Sequence, residues 1–467
     1  MSFLKKYVGN RAFYRVVLGV AVPMMIQNGI TNLVNLLDNV MVGSISTEAM
    51  SGVSIVNQFI FVFNLLVFGA VSAAGIFTAQ YHGSGDVEGV RHTFRFKFII
   101  TALVGALSVL IFALFSEPMI RMFLHSGSIE GDLELTLAYG QHYLLVMLAG
   151  LIPYTIAQAY ASTMRETGET VVPMVASAAA VFTNFVLNCI LIFGLFGLPA
   201  LGVTGAAIAT VASRGVELGI LLWWGYTHKQ RCPYLEGALH SLYLPPVLFG
   251  RIIAKGLPLM LNEFFWAAAI TFRNQCYSTR GLDVVAAQNI STTIVNLFSV
   301  VYLSLGASIA IVVGNELGAG KLEKARDSAR KMMAFSIFCA CLMALLLVVT
   351  SVLFPRLYNV GTEVRSLATF MILVSAALLP FCAYAHAAYF TLRSGGRVAV
   401  TLLFDSVYMW VLVAPLVLVL SRFTDMNIHW LFIAGQSVEI VKCIFGFVLL
   451  GKINWARQLV GDQNAKM

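Results

Sequence analysis

Asp38 stands in Leu33-Val34-Asn35-Leu36-Leu37-Asp38-Asn39-Val40-Met41, the outer part of an apolar run that begins near Val16. Holding a carboxylate in lipid is costly, so Asp38 must face protein or a water-filled cavity, and it is a functional candidate by default. The alternative is a structural carboxylate that caps a neighbouring helix or pairs with a buried cation. A second polar set lies in the other half of the chain. Glu263, His386 and Asp405 fall about 10, 8 and 9 Å from the cytoplasmic ends of their predicted helices. Such a group could titrate or hold a cation, because His changes charge near neutral pH and adjacent carboxylates shift one another's protonation. An inner-gate ion-pair network with Arg393 or Arg397 is an equally open reading. Arg273 is either a fixed cation in the outer part of its half or a side chain that snorkels to the external surface. Arg214 with Glu217, and Glu439 with Lys442, are three apart and read as self-neutralised structural pairs.

The elements that must carry these residues follow from composition. Apolar residues make up 59% of the 467 and charged residues 11%, against roughly 45 to 50% and about 25% in a soluble globular domain. The chain is therefore expected to be an all-α integral membrane protein. Twelve apolar segments, near 16–41, 53–79, 96–116, 135–161, 171–196, 204–226, 256–277, 286–313, 332–354, 367–391, 399–420 and 429–450, are each long enough to cross a hydrocarbon core of about 30 Å. They are continuously apolar instead of alternating, and a helix satisfies its own backbone where water is absent, so helices are favoured over a barrel.

Lys5, Lys6, Arg11 and Arg15 precede a first segment too long for a signal-peptide core, which is expected to remain as the first helix. With the N-terminus inside, Arg121, Arg280, Arg356, Arg365 and Arg422 are external, Arg214, Arg273 and Lys442 lie within helices, and the remaining Lys and Arg are cytoplasmic. The positive-inside rule then places both termini in the cytoplasm of a multi-pass plasma (inner) membrane protein. Attraction to anionic lipid accounts for the net charge of +8 without nucleic acid. The seven Cys show neither a disulfide framework nor metal-ligand spacing.

The chain repeats itself. A slide of 235 positions lays Pro23 on Pro258, Met25 on Met260, Asp38 on Arg273, Asn39 on Asn274 and Ile55 on Ile290. It also lays Gly83, Gly85, Glu88 and Arg91 on Gly318, Gly320, Glu323 and Arg326. At a shift of 228, Thr163-Met164-Arg165-Glu166-Thr167-Gly168 meets Thr391-Leu392-Arg393-Ser394-Gly395-Gly396. Two six-helix halves entering from the same side imply a pseudo-two-fold axis along the membrane normal and a central cavity. The expected organisation is a cytoplasmic N-terminus at 1–15, an N-lobe at 16–226, a linker at 227–255 with Pro233, Pro245 and Pro246, a C-lobe at 256–450 and a cytoplasmic C-terminus at 451–467. Gly83, Gly85, Gly318 and Gly320 are expected to supply turn geometry in structural loops, with Arg165 and Arg393 in the later matched turns. Pro23 and Pro258, being repeat-matched, are the better hinge candidates.

Asp38-Asn39-Val40-Met41-Val42-Gly43, the loop from Gly83 to Arg91 with its copy, and Asn184 and Asn188 before Leu191-Ile192-Phe193-Gly194 carry a family resemblance. With Gly202-Val203-Thr204-Gly205-Ala206-Ala207-Ile208-Ala209-Thr210 and Leu392-Arg393-Ser394-Gly395-Gly396, they look like the multidrug and toxic compound extrusion (MATE) family, from about Val16 to Leu450. The resemblance implies export of organic, often cationic compounds in exchange for Na⁺ or H⁺ as two lobes rock between outward-open and inward-open forms. It also implies an N-lobe ion site at Asp38, Asn184, Asn188 and Thr210, where Na⁺ could bind. Some branches carry Asp in place of Asn188, so this site has one carboxylate. The acidic pair of certain C-lobe sites is replaced by Trp266 and Cys382.

Counting along the helices gives an independent check on that site. Asp38 lies about 33 Å and Asn188 about 25 Å from the cytoplasmic side, and Thr210 about 9 Å in from outside, so all three fall in the outer half. Asn184 and Asn188 share a face, although interhelical hydrogen bonds alone would also explain them. A cation-coupled exporter, acting as a monomer on small organic substrates among membrane lipids and using no cofactor beyond the coupling ion, fits best. A lipid-linked saccharide flippase would be expected to line its cavity with several cations. An enzyme is disfavoured, because no His-Glu-x-x-His motif or catalytic dyad is visible.

Overall fold

The computed structural model of the chain describes residues 6–43, 45–124, 132–197, 199–358 and 360–460. Of the terminal segments expected at 1–15 and 451–467, residues 1–5 and 461–467 lie outside the described residues. The long helices are α1 Arg11–Gly43, α2 Thr47–Ser84, α3 Val87–Arg121, α4 Leu133–Glu166, α5 Val171–Phe193, α6 Gly202–Thr227, α7 Pro246–Ser278, α8 Leu282–Gly318, α9 Leu322–Ser351, α10 Thr362–Ser394, α11 Val398–Arg422 and α12 Ile428–Lys452. Among the described residues there is no strand. The protein is an all-α, multi-pass membrane protein. Among the described residues eleven helices are long and apolar enough to cross a bilayer; α7 has the length, at 33 residues, but Asn262, Glu263 and Arg273 break its apolar run.

Proline and local polar groups shape these helices. In α3, Phe115 leaves helical geometry (φ −118°, ψ 15°) just before Pro118, whose ring collides with the carbonyl four residues back. In α11 the turns over Leu403–Val407 and Met409–Val413 are π-helical and lead into Pro415. The widened turns relieve the same collision. Asp405 sits in the first of them.

The chain packs as two compact units. The N-unit comprises Ile26–Thr78 and Val87–Ile252, and the C-unit comprises Met1–Met25, Ala79–Asp86 and Ile253–Met467. Their borders therefore run through α1, α2 and the start of α7. Phe59, Phe63, Leu144, Met147, Leu151 and Ile192 form part of the N-unit core. Leu305, Leu317, Met332, Leu392 and Phe404 form one C-unit core, and Tyr277, Met371, Val413 and Leu431 another.

Within the C-unit the ends of α2 and α8 cross in near contact. A Cβ on Gly83 would stand 1.9 Å from the Asn315 carbonyl oxygen, and one on Gly318 would stand 1.9 Å from that of Gln80. Gln80 and Asn315 are themselves repeat partners, so the crossing is self-complementary. This corrects the expectation of turn duty for Gly83 and Gly318. Both are helical contact residues, and left-handed geometry falls on Gly85 (φ 78°) and Gly320 (φ 72°). Glu88 with Arg91 and Glu323 with Arg326 pair at the following helix starts, as the repeat suggests.

The segment after α12 lies over this crossing. Gln80 donates to the Ser394 and Arg457 carbonyls at 3.1 and 3.2 Å and accepts from the Leu459 amide at 2.6 Å. Gln458 donates to the Gly318 carbonyl at 2.8 Å, and Trp455 and Ala456 are buried. In the N-unit, Arg95 at the start of α3 holds the linker by donating to the Ala238 carbonyl at 2.7 Å. Burial there pushes the Cys232 thiol up.

Candidate functional site

In the N-unit three helices bring Asp38, Asn184, Asn188 and Thr210 together. Asn184 and Asn188 lie one turn apart on α5, buried at 5% and 1% exposure, and so present both amides to one spot. Asn188 Nδ2 donates to Asp38 Oδ1 at 2.7 Å and to Asn184 Oδ1 at 3.2 Å, while Asn184 Nδ2 donates to Thr210 Oγ1 at 3.2 Å. Thr210 also donates back to the Ala206 carbonyl at 3.0 Å. With the Asn184 amide turned, its nitrogen reaches Asp38 Oδ1 and Oδ2 at 3.0 and 3.2 Å, and its oxygen accepts from Thr210. Asn184 can thus face the carboxylate with a donor or with an acceptor. Among the described residues the buried Asn188 Oδ1 has no hydrogen-bond partner. The carboxylate, this bare amide oxygen, the second amide and the hydroxyl form an oxygen-rich set suited to a hard monovalent cation or to a proton on Asp38.

A narrow cleft of about 20 Å³ in the same unit is lined by Phe63, Asn64, Met147, Tyr154, Thr210 and Arg214 among others. Arg214 pairs with Glu217 at 3.5 Å, as the three-residue spacing suggests. Deeper in the unit, fully buried Lys97 pairs with Glu166 and donates to Thr163 Oγ1 at 3.2 Å. The sequence gives no sign of that pair, because it joins α3 to α4. Arg165 at the end of α4 donates to Gln27 at 3.5 Å.

In the C-unit the expected polar residues meet around Asn262 and Tyr389, with His386 on the aromatic side. Lys442 of α12 donates to Asp405 Oδ1 at 2.6 Å, and Asn262 donates to Asp405 Oδ2 at 3.1 Å and to the Tyr389 hydroxyl at 3.3 Å. Tyr389 donates to Glu263 Oε1 at 3.1 Å. Ser406 donates to Asn262 Oδ1 at 2.8 Å. His386 packs against aromatic rings, edge-on to Tyr302 at 5.7 Å and stacked on Tyr389 at 6.4 Å. Arg273 stands apart and donates to Gln436 at 3.2 Å. The cation on Asp405 is thus Lys442, not the Arg393 or Arg397 offered by the sequence, and Lys442 pairs there and not with Glu439. The guanidinium of Arg393 lies over Phe390 at 5.2 Å, and Arg397 donates to the Asn454 carbonyl at 2.9 Å. Asn262, Tyr389 and Lys442 escaped the sequence reading as site members, although Asn262 adjoins Glu263.

The MatE family model matches residues 23–190 and 258–419. The chain belongs to the MATE family. The two matched stretches open at Pro23 and Pro258, the prolines that the internal repeat superposes. Among curated MATE relatives, the probable multidrug resistance protein NorM of Thermotoga maritima is 22% identical, covering 94% of this chain and 92% of its own length. The multidrug resistance protein PmpM of Pseudomonas aeruginosa is 28% identical, covering 78% and 75%. In fold, this MATE protein matches a MATE crystal structure in complex with MaL6 at a TM-score of 0.84 and 19% identity, covering 96% of this chain and 97% of that one. It matches the bent form of the Vibrio cholerae MATE transporter VcmN at 0.82 and 20% identity, covering 94% and 97%.

Proposed function

We propose that this MATE protein is a secondary active multidrug efflux antiporter that exports organic, cationic compounds in exchange for Na⁺ or H⁺ at Asp38, Asn184, Asn188 and Thr210. The observation that carries this reading is the Asp38 carboxylate held by amide groups beside the orphaned oxygen of Asn188. Asp405 contrasts with it: there the Lys442 ammonium already fills the place a free cation would take. Names of the relatives support multidrug export. Alternating access by rocking of two lobes, action as a monomer, and residence in the inner membrane with cytoplasmic termini complete the proposal. The basic residues support that orientation.

Charge accounts for the coupling. A cation or proton on Asp38 neutralises a carboxylate in a low-dielectric setting, and its loss restores a charge whose burial is unfavourable, so the loaded and empty sites favour different conformations. Transport in proteoliposomes with Na⁺ and pH gradients imposed separately tests this. One gradient should drive drug movement in the wild type, and Asp38→Asn should abolish that movement in a normally folded protein. Wild-type rates from Asp38→Asn would overturn the assignment.

A further inference from the structure

Arg214 follows Thr210 by one helical turn, so both residues lie on one face of α6, and both line the N-unit cleft. An arginine within a membrane helix needs a partner or water, and the partner here is loosely held. Nη1 reaches Glu217 Oε2 at 3.5 Å, short of the close two-pronged contact that Arg and carboxylate form when locked. Glu217 is buried, whereas the Arg214 side chain is 35% exposed and lies over the Tyr154 ring at 4.6 Å. The charged and titratable groups that act on this guanidinium or its partner are Asp38 of α1, Tyr143, Tyr154 and Arg165 of α4, and Glu217 of α6. Arg214 is thus a cation held by one long ion pair and a ring face, within the field of two carboxylates on different helices.

We propose that Arg214 is a tethered countercharge that competes with the coupling ion for Asp38. This rests on the reading of Asp38 as the coupling site. With a cation or proton on Asp38, the guanidinium pairs with Glu217 and the set is neutral. When that ion leaves, the guanidinium swings toward Asp38 and the remaining single negative charge is shared between the two carboxylates. The ion must then displace Arg214 to rebind, which keeps its affinity low enough for release. Arg214 is a positioning residue in this scheme, and Glu217 is its resting place.

The test uses full-length purified protein and the infrared band of the Asp38 carboxyl, isolated by subtracting Asp38→Asn and followed through Na⁺ titrations and pH titrations. Arg214→Gln should tighten ion binding roughly tenfold, seen as a lower half-saturating Na⁺ concentration or a midpoint about one pH unit higher. Glu217→Gln frees the guanidinium for Asp38 and should weaken binding by a similar factor. The double variant should return close to wild type, and Arg214→Lys should stay there. Midpoints unchanged by both single variants, or moved in the same direction, would overturn the countercharge while leaving Asp38 as the coupling site. A wild-type band that responds to neither Na⁺ nor pH would overturn the Asp38 reading and the countercharge with it.

Discussion

Two aspartates in this protein solve one electrostatic problem in opposite ways. Asp38 is met by amides, Asp405 by an ammonium. On the proposed reading an ion comes and goes at the first; the second is already neutralised by Lys442. Truncating one partner of that pair leaves an uncompensated charge in the membrane interior. Lys442→Ala should therefore lower stability by about 3 to 5 kcal/mol, and Asp405→Leu with Lys442→Met should recover most of it. Thermal unfolding of the single and double variants in detergent reads this directly. A single variant as stable as wild type would mean that the pair is open to water. At this scale the N-unit set was legible through the family resemblance, and the one-turn spacing of Asn184 and Asn188 and the counted depths agreed with it. The partner of Asp405 was not: Lys442 lies on another helix, and its neighbour Glu439 offered a simpler local match.

Helices were legible because lipid demands long uninterrupted apolar runs, and α7 was the weakest for the same reason, its polar residues breaking the run. The duplication pointed to Gly83 and Gly318 but not to their use. A glycine that admits a turn and a glycine that admits a second backbone look alike until the crossing helix is seen. Gly83→Ala and Gly318→Ala should each lower stability by about 1 to 3 kcal/mol, and by similar amounts, because each forces a methyl into a carbonyl of the repeat partner's helix. Ion binding at Asp38 should survive both. Affinity lost without any loss of thermal stability would place these glycines in a binding site. The π turns of α11 were legible only as the presence of Pro415.

For the molecule as a whole, the polar residues of the two halves sit at different expected depths, outer for Asp38, Asn188 and Thr210, and inner for Glu263, His386 and Asp405. Charges at one depth bias the end they sit near, by forming contacts in one state and losing them in the other. Glu263 is tied to α10 through Tyr389, and we propose that it acts on the cytoplasmic opening. Glu263→Gln should shift the balance of inward-open and outward-open forms, read as spectroscopic distances between labels on the two lobes across pH, while ion binding at Asp38 persists. Unchanged distances with collapsed ion affinity would instead make the C-unit group the ion site.

Gln80 also orders events during synthesis. It is made with the second helix, yet its amide group bonds Leu459, 379 residues later, and the C-unit borrows the beginning of α1 and the end of α2 from the first part of the chain. Those early pieces must wait until the segment around Leu459 has been made. Closing so long a loop is slow and leaves polar groups unsatisfied meanwhile. The C-unit is therefore closed only once the segment around Leu459 is made, and a stop codon after Ile453 would release helices in which the Gln80 amide had never met Arg457 or Leu459.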